Sequence, residues 1–211
     1  MSARVDYSYK DGSKIYFTSD THFSHDNIIK FCQRPFETVE EMDKVLIEKW
    51  NQKVPQDGLV FHLGDFAWGG LNNYKRIREQ LNGNIILIKG NHEWRNGPQN
   101  KSDYDKLFLF STQQMFLEID KRKIYLNHVP FLCYGGTYRK ENDLIYQAFG
   151  HVHSSPSMNG KDASRLSILF PTQYDVGVDN NNFEPISWYE LDAKIKEQIK
   201  IAKENENTDN T

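Results

Sequence analysis

A short apolar run that ends in glycine and three polar residues constrains the fold of this chain more than any other feature. The run comprises residues 85–88 and leads through a lysine to Gly90, Asn91, His92 and Glu93. β-Branched apolar residues in a run of this length are typical of a buried strand. Gly90 lets the backbone turn without the steric penalty of a side chain. The pattern therefore predicts a buried strand whose carboxyl end opens onto a site.

A second apolar run predicts a strand that pairs with the first. Residues 59–63 form this run, which is followed by Gly64 and Asp65. The segment between the two runs predicts a helix that is capped by Asn72 and extends to Leu81. A strand, a helix and a strand joined by short connections form a right-handed crossover with parallel strands. The carboxyl ends of both strands therefore meet at one edge of a sheet.

Two hairpins and a capped helix are predicted elsewhere in the chain. Residues 5–9 and 14–18 flank an Asp-Gly turn and predict the first hairpin. Residues 114–119 and 124–127 flank a short charged turn and predict the second. Thr38 begins a helix, because a glutamate three residues later completes a capping box.

Polar side chains follow apolar strands at five places in the chain. Besides the two parallel strands, the first pair to do so is Asp20 and His22, and the last is His151 and His153. Residues two apart on an extended segment face the same way, so each pair can converge on one point. His128 follows the second hairpin in the same manner.

The chemistry of these side chains indicates a metal site. Two carboxylates, one amide oxygen and four or five imidazoles are more ligands than one closed tetrahedral ion needs, and the set contains no thiolate. This inventory fits two adjacent divalent ions, with a carboxylate as the natural bridge between them. Any one of these motifs alone is common in turns, and the indication comes from their number.

Composition sets broad limits on the class of protein. The chain has 211 residues, of which 38% are apolar, and this length suits one domain with a sizeable core. Residues 1–203 are expected to form that domain, and residues 204–211 a disordered tail. A formal charge of −3 gives no overall attraction to nucleic acid or acidic membranes. No apolar run approaches a membrane span, and Cys32 and Cys133 show no paired spacing, so a cytoplasmic location without membrane contact is expected.

The order of the polar motifs resembles that of the calcineurin-like metallophosphoesterases, and the resemblance covers residues 14–192. Its motifs are Asp20-x-His22, Gly64-Asp65, Gly90-Asn91-His92-Glu93, His128 and Gly150-His151-x-His153. One such motif is weak evidence, whereas five in order are strong evidence. The resemblance implies an α+β fold, a four-layer αββα sandwich of two mixed sheets flanked by helices, with the site at the strand ends.

The resemblance also implies which residues bind metal. One divalent ion is expected to bind Asp20, His22, Asp65 and His153. The second is expected to bind the bridging Asp65 together with Asn91, His128 and His151. Manganese is the expected metal for both ions, with iron, zinc, nickel and cobalt as alternatives.

Hydrolysis of a phosphoester is the activity that the resemblance implies. In such a site a hydroxide shared by the two ions attacks phosphorus, and the bridging Asp65 is catalytic together with His92. We expect His92 to contact the scissile phosphate or the leaving oxygen without binding metal. Glu93 stands where many members of the family have aspartate, and we expect it to orient His92.

The expected substrate is a phosphodiester in a nucleotide or a short nucleic acid, because compact members without a cap domain have an open cleft. A phosphomonoesterase and a nucleotide pyrophosphohydrolase with the same metals are alternatives.

A protein serine/threonine phosphatase is disfavoured, since residues 67–70 replace the Asp-Arg-Gly of that branch. A DNA-repair nuclease would need an additional cap. A scaffold that has lost its ligands is disfavoured because every ligand position is filled. The oligomeric state is left open, with a homodimer as one option.

Residues close behind the first ligand pair are candidates for substrate binding. They are His25, Asn27 and Arg34. We expect Arg34 to grip a phosphate oxygen through its bidentate guanidinium. Loop aromatics are candidates for stacking on a base; these are Trp68, Trp94 and Tyr138.

Overall fold

The computed structural model describes residues 6–135, 144–154 and 166–209, and the strands in these ranges form two mixed five-stranded sheets. The strands are β1 (Tyr7–Tyr9), β2 (Ile15–Thr18), β3 (Leu59–His62), β4 (Asn84–Ile88), β5 (Phe110–Thr112), β6 (Gln114–Ile119), β7 (Arg122–Asn127), β8 (Tyr146–Phe149), β9 (Gln173–Asp175) and β10 (Ile186–Ser187). The α-helices of these ranges are α1 (Asp26–Phe31), α2 (Val39–Lys53), α3 (Gly70–Arg78), α4 (Asn91–Asn96), α5 (Lys101–Leu107) and α6 (Trp188–Asp209). Within the same ranges, no helix is both long enough and apolar enough to cross a bilayer.

The strand order explains how distant motifs meet. Sheet A contains β1, β6, β7, β8 and β9 in that order, and sheet B contains β10, β2, β3, β4 and β5. In sheet B, β2 to β5 are parallel and β10 is an antiparallel edge. In sheet A, β6 and β7 form the predicted antiparallel hairpin, and each other neighbouring pair is parallel. The predicted crossover from β3 to β4 and the α+β architecture of two mixed sheets flanked by helices are confirmed.

Sheet B is buried on both faces, which explains its continuous apolar strands. One face, with Phe17, Phe61 and Ile86, packs against sheet A and residues such as Leu117. α6 adds Trp188 and further residues to this core between the sheets. The opposite face packs against α1, α2, α3 and α5; its core residues include Tyr16, Val60, Ile85, Leu87, Met42, Trp50 and Tyr104.

The predicted first hairpin is wrong. β1 pairs in parallel with β6 of sheet A, whereas β2 pairs with β3 and β10 of sheet B. The Asp-Gly turn carries the chain from one sheet to the other. Gly12 of this turn packs so closely that a Cβ would overlap the ring of Trp188. The local turn signal is overridden because each strand pairs with partners remote in the chain, and those of β2 bury it in the core.

Two helices also differ from those predicted. α3 begins at Gly70 rather than after Asn72, and it ends at Arg78 rather than at Leu81. α6 continues to Asp209, so residues 204–209 of the predicted disordered tail are helical. This segment contains neither glycine nor proline, so no helix breaker ends α6 before Asp209.

Candidate metal centre

The ends of five strands bring the seven predicted ligand residues together. These residues are Asp20 and His22 after β2, Asp65 after β3, Asn91 after β4, His128 after β7, and His151 and His153 after β8. Backbone contacts tie the segments to one another. The N–H of His22 donates to the carbonyl of Asp65, and the N–H of His151 donates to Oδ2 of Asp20 at 2.9 Å.

The first ligand group consists of Asp20, His22 and His153, whose ligand atoms lie within 4.8 Å of one another. Oδ1 of Asp20 is 3.6 Å from Nε2 of His153. Oδ1 of Asp20 and Nε2 of His22 are buried and have no hydrogen-bond partner. Separations of this size are too long for hydrogen bonds, and they suit donor atoms that each lie about 2.1 Å from one shared cation. The orphaned atoms therefore fit a metal ion.

The second ligand group consists of Asp65, His128 and His151, with Asn91 between them. Oδ1 of Asn91 is 3.0 Å from Nε2 of His128 and 2.9 Å from Nδ1 of His151. Nδ1 of His128 donates to the carbonyl of Leu63 at 2.7 Å, which assigns the proton of a neutral ring to that nitrogen and leaves Nε2 as the ligand atom. An amide oxygen, a carboxylate and two imidazoles converge here, and this donor set also fits a divalent ion.

Asp65 lies between the two groups. Its Oδ2 is 3.5 Å from Nε2 of His22 in the first group and 3.5 Å from Nε2 of His128 in the second. Its Oδ1 accepts a hydrogen bond from the N–H of His92 at 2.9 Å. This contact fixes the carboxylate so that the other oxygen faces both groups.

Backbone strain is concentrated at these residues. Five of the ligand residues have positive φ angles, which residues other than glycine rarely adopt; they are Asp20 (57°), His22 (50°), Asp65 (56°), His151 (71°) and His153 (47°). Such strain persists only where the surrounding structure enforces it, and it clusters at functional sites. Gly90 contributes through close packing, because a Cβ there would overlap Oδ1 of Asp65 and lie 2.7 Å from Cε1 of His128.

The electrostatics of the site favour cations. Burial lowers the pKa of His128, but its contact with Asp65 and the charge of Asp20 outweigh this effect and raise the pKa to about 9. Burial likewise opposes protonation of His153, yet Asp20 and Asp179 raise its pKa well above the usual value. The carboxylates therefore create a negative potential that holds protons on two histidines, and a divalent ion would compete for the same position.

Asp179, which was not among the predicted site residues, supports the first ligand group. Its Oδ2 accepts a hydrogen bond from Nδ1 of His153 at 2.7 Å, and its carboxylate accepts two more from Arg34, both at 2.8 Å. The charge of Arg34 lowers the pKa of Asp179 to about 2, against the opposing effect of burial. A recurrence of the strand-end pattern, in which Asp179 follows β9 within a few residues, was the signal available in the sequence.

Arg34 has a structural role in place of the predicted contact with substrate. Its side chain is fully buried. Besides Asp179, the guanidinium donates to the backbone carbonyls of Asp20 at 2.7 Å and Thr21 at 3.0 Å. The prediction that Arg34 grips phosphate is therefore wrong, because protein acceptors already enclose its donors. Arg34 instead fixes the backbone of the first ligand pair.

The other two predicted substrate contacts have different positions. Nδ1 of His25 is 3.3 Å from Nδ1 of His22, so the ring of His25 contacts the first ligand group. The ring of His25 also stacks on Trp68 at a centroid distance of 4.4 Å. Asn27 lies on the exposed side of α1. Trp94 is exposed, and Tyr138 lies outside the described residues.

Glu93 is buried and holds the backbone of the site. Its carboxylate accepts the N–H groups of Asp65 at 2.8 Å, Phe66 at 2.8 Å and Gly90 at 2.6 Å. The hydroxyl of Tyr74 donates to it at 2.9 Å. These contacts differ from the predicted one, because Glu93 positions the turns after β3 and β4 rather than the ring of His92. Sequence adjacency to His92 suggested a direct contact that the helical geometry of α4 does not make.

A comparison with protein families decides the classification. The family model of the calcineurin-like phosphoesterases matches residues 13–169. This chain belongs to the calcineurin-like phosphoesterase family. In this phosphoesterase the matched range contains all seven predicted ligand residues and His92.

Individual relatives agree with this assignment. The phosphoesterase is 36% identical over 198 residues to an uncharacterized protein, MJ1445, of Methanocaldococcus jannaschii, and the match covers 90% of this chain and 95% of that protein. It is 24% identical over 198 residues to the gene 66 protein of Mycobacterium phage D29, with coverage of 85% and 91%. It also resembles the crystal structure of AQ665, a protein of unknown function from Aquifex aeolicus, with a TM-score of 0.61, 26% identity and coverage of 85% and 97%.

The family assignment and the geometry agree on the general class of activity. The calcineurin-like phosphoesterase family consists of metal-dependent phosphoester hydrolases, and the described residues include His and Asp clusters that could hold metal ions. The phosphoesterase is thus a metal-dependent hydrolase of phosphoesters with candidate ligands in two adjoining groups.

Proposed function

We propose that this phosphoesterase is a phosphodiesterase that uses two divalent ions, with manganese as the expected metal, to hydrolyse a nucleotide or a short nucleic acid. The observation that carries the proposal is the position of Asp65. One oxygen of its carboxylate is equally distant, at 3.5 Å, from a ligand atom of each group. A carboxylate in this position is suited to bridge two ions.

The ligands divide into two sets that share Asp65. The first ion would be held by Asp20, His22, Asp65 and His153. The second would be held by Asp65, Asn91, His128 and His151. Bound ions of this kind stabilise negative charge on a phosphoryl group and lower the pKa of water.

His92 is placed to donate a hydrogen bond to the leaving oxygen. Its Nε2 lies 3.9 Å from Oδ2 of Asp65, and Nδ2 of Asn96 lies 3.5 Å from its Nδ1. If the amide donates to Nδ1, the proton of a neutral ring resides on Nε2, which faces the ligand groups. His92 then donates a hydrogen bond from Nε2 that stabilises the negative charge on the departing oxygen of the ester.

Two cavities, one near His92 and one beside His151, favour a diester over a monoester. The first, of about 480 Å³, is lined by Trp68, Arg95 and Asn96, and both Trp68 and Asn96 approach the ring of His92. A second cavity, of about 320 Å³, includes His151 in its wall. A phosphodiester carries two substituents on phosphorus and can use both spaces, whereas a monoester would leave one of them empty.

Hydrolysis of two chromogenic substrates with added manganese tests this proposal. Bis-p-nitrophenyl phosphate should be hydrolysed with a kcat/KM at least about tenfold higher than p-nitrophenyl phosphate, since only the diester uses both spaces. The opposite preference would identify a phosphomonoesterase. Hydrolysis confined to dinucleoside polyphosphates would identify a pyrophosphohydrolase. A screen of cyclic mononucleotides, cyclic dinucleotides and single-stranded oligonucleotides then assigns the natural substrate.

Metal analysis tests the dinuclear site independently of activity. Protein loaded with manganese and freed of excess metal should retain two equivalents per chain. Retention of one equivalent would contradict the bridging role of Asp65, and retention of none would favour a scaffold. The cytoplasmic location and the single domain over residues 1–203 stay predictions, and the oligomeric state stays open.

A further inference from the structure

We propose that the apolar cavity beside His151 binds the substituent of the phosphodiester that stays on phosphorus, and that this substituent is an uncharged, ring-sized apolar group. The inference rests on the proposed phosphodiesterase function. It favours a diester with an uncharged retained group over an oligonucleotide, whose retained part would carry further phosphates. We call this space the His151 cavity and define it by Val129, Leu132, His151, Ile168 and Leu169, which are part of its wall.

The chemistry of the wall defines the class of ligand. The cavity measures about 320 Å³, and of the described residues that line it, His151 alone has an ionisable side chain. Three of its apolar residues are exposed, namely Val129 (42%), Leu132 (70%) and Ile168 (60%). The described part of the wall therefore offers no cation for a second phosphate or a carboxylate. It gains free energy by covering an apolar group.

The position of the cavity makes its occupant part of the substrate. Nδ1 of His151 lies 2.9 Å from Oδ1 of Asn91 in the second ligand group, so the same ring borders both spaces. Val129 directly follows His128, which belongs to that group. A phosphoryl group held by these ligands therefore has the cavity beside it, within reach of a directly attached substituent.

The position of His92 identifies which substituent enters the cavity. His92 clusters with His22 and His25 in the other part of the site, and Trp68 lies 5.6 Å from its ring. The oxygen that accepts a hydrogen bond from His92 must face that side, and the leaving group follows it toward Trp68. The His151 cavity is left for the substituent that is retained on phosphorus.

A binding experiment tests the cavity without catalysis. Phenylphosphonate and methylphosphonate carry the same anionic head, and their affinities for the manganese-loaded protein can be measured by calorimetry. Phenylphosphonate should bind about tenfold more tightly, because its ring buries apolar surface in the cavity. Leu132→Ser and Ile168→Ser should bring the ratio close to one while methylphosphonate affinity is unchanged. Both side chains are exposed, so the fold should tolerate either substitution. Leu109→Ser is the matched control, since Leu109 is also exposed (59%) but does not line the cavity, and it should preserve the ratio.

A kinetic experiment with a constant leaving group separates this inference from the proposed function. The p-nitrophenyl esters of phenylphosphonate and methylphosphonate release the same phenoxide. The phenyl ester should show the higher kcat/KM, and the two cavity variants should remove the difference.

Hydrolysis of both esters with equal kcat/KM, together with equal phosphonate affinities, would overturn the inference and leave the phosphodiesterase function standing. Failure to hydrolyse either ester, with the phenyl preference in binding intact, would contradict the function and support the cavity. A dimer that Leu132→Ser converts to a monomer, with the phosphonate ratio unchanged, would show that the apolar face joins two copies of the chain and would overturn the inference.

Discussion

Oδ2 of Asp179 accepts a hydrogen bond of 2.7 Å from Nδ1 of His153, while Arg34 holds the same carboxylate from the other side. The carboxylate of Asp179 thereby fixes the orientation of the His153 ring and leaves Nε2 of that ring as the ligand atom for a metal ion. Arg34 lies 145 residues from Asp179 in the chain, and His153 lies 26 residues from it.

Asp179→Asn should weaken manganese binding by about 10- to 100-fold, because the partner that orients His153 loses its charge. Equilibrium dialysis on folded protein measures this effect. Asp43→Asn is a matched control, since Asp43 is another largely buried carboxylate that pairs with an arginine, Arg76, at 3.2 Å. Equal metal affinity in the two variants would show that Asp179 has a structural role alone.

Asp65→Ala and His92→Ala should differ in their metal content. Asp65 lies between both ligand groups, so its loss should remove metal and activity together. His92 is expected to act on the leaving oxygen, so its loss should lower kcat by about 100-fold or more with metal content unchanged. Metal analysis beside steady-state kinetics provides the comparison, and equal metal loss in both variants would make His92 a ligand.

Gly90→Ala should lower metal affinity by about tenfold or more, because the new methyl group would displace Asp65 or His128 from the site. Gly135→Ala is the control, since no atom lies within 4 Å of a Cβ placed there. Calorimetric titration with manganese measures both affinities. An unchanged affinity in Gly90→Ala would mean that the turn after β4 can yield without disturbing its neighbours.

Glu93→Gln should reduce the free energy of unfolding by about 2 to 4 kcal/mol, because three buried backbone N–H groups would share a weaker, uncharged acceptor. Tyr74→Phe removes one hydrogen bond to the same carboxylate and should cost about 1 kcal/mol. Urea unfolding of both variants gives these values. A larger loss in Tyr74→Phe would contradict the assigned role of Glu93.

His62 should make stability fall with acidity. Burial lowers its pKa to about 3, and its Nε2 lies 2.9 Å from Oγ1 of Thr21, whose hydroxyl donates to a carbonyl, so the ring donates from Nε2. In the unfolded chain, His62 binds a proton below about pH 6.5. In the folded chain, it stays neutral until the pH falls to about 3. The contribution of the neutral His62 ring to the free energy of unfolding is therefore complete above about pH 6.5. It is lost, at up to about 1.4 kcal/mol per pH unit, as the pH falls from about 6.5 to about 3.

His62→Gln retains a donor for Thr21 without a titrating ring, and it should reduce this pH dependence. Urea unfolding in the presence of a chelator, from neutral pH down to about pH 4.5, measures the slope. Identical slopes in the wild type and the variant would show that His62 does not control the acid sensitivity.

Much of the site was predictable because its ligands follow a local pattern. Strand periodicity and the parallel crossover place Asp65 and Asn91 at the same sheet edge, whatever the rest of the chain does. Arg34 and Glu93 were placed near the site correctly, but their contacts were not. Both are polar residues that follow a ligand residue in the chain, and position along the chain does not show whether a side chain turns toward solvent or into the interior.

By itself, the sequence determined which residues stand at the strand ends and which chemistry their side chains allow, since both depend on the order of residues along short segments. Only the tertiary structure decided that β1 and β2 separate into different sheets, that Arg34 is enclosed by Asp179, and that Asp65 faces both ligand groups. These features depend on burial and on pairing between segments distant in the chain, where the competition among partners is settled by packing of the whole fold.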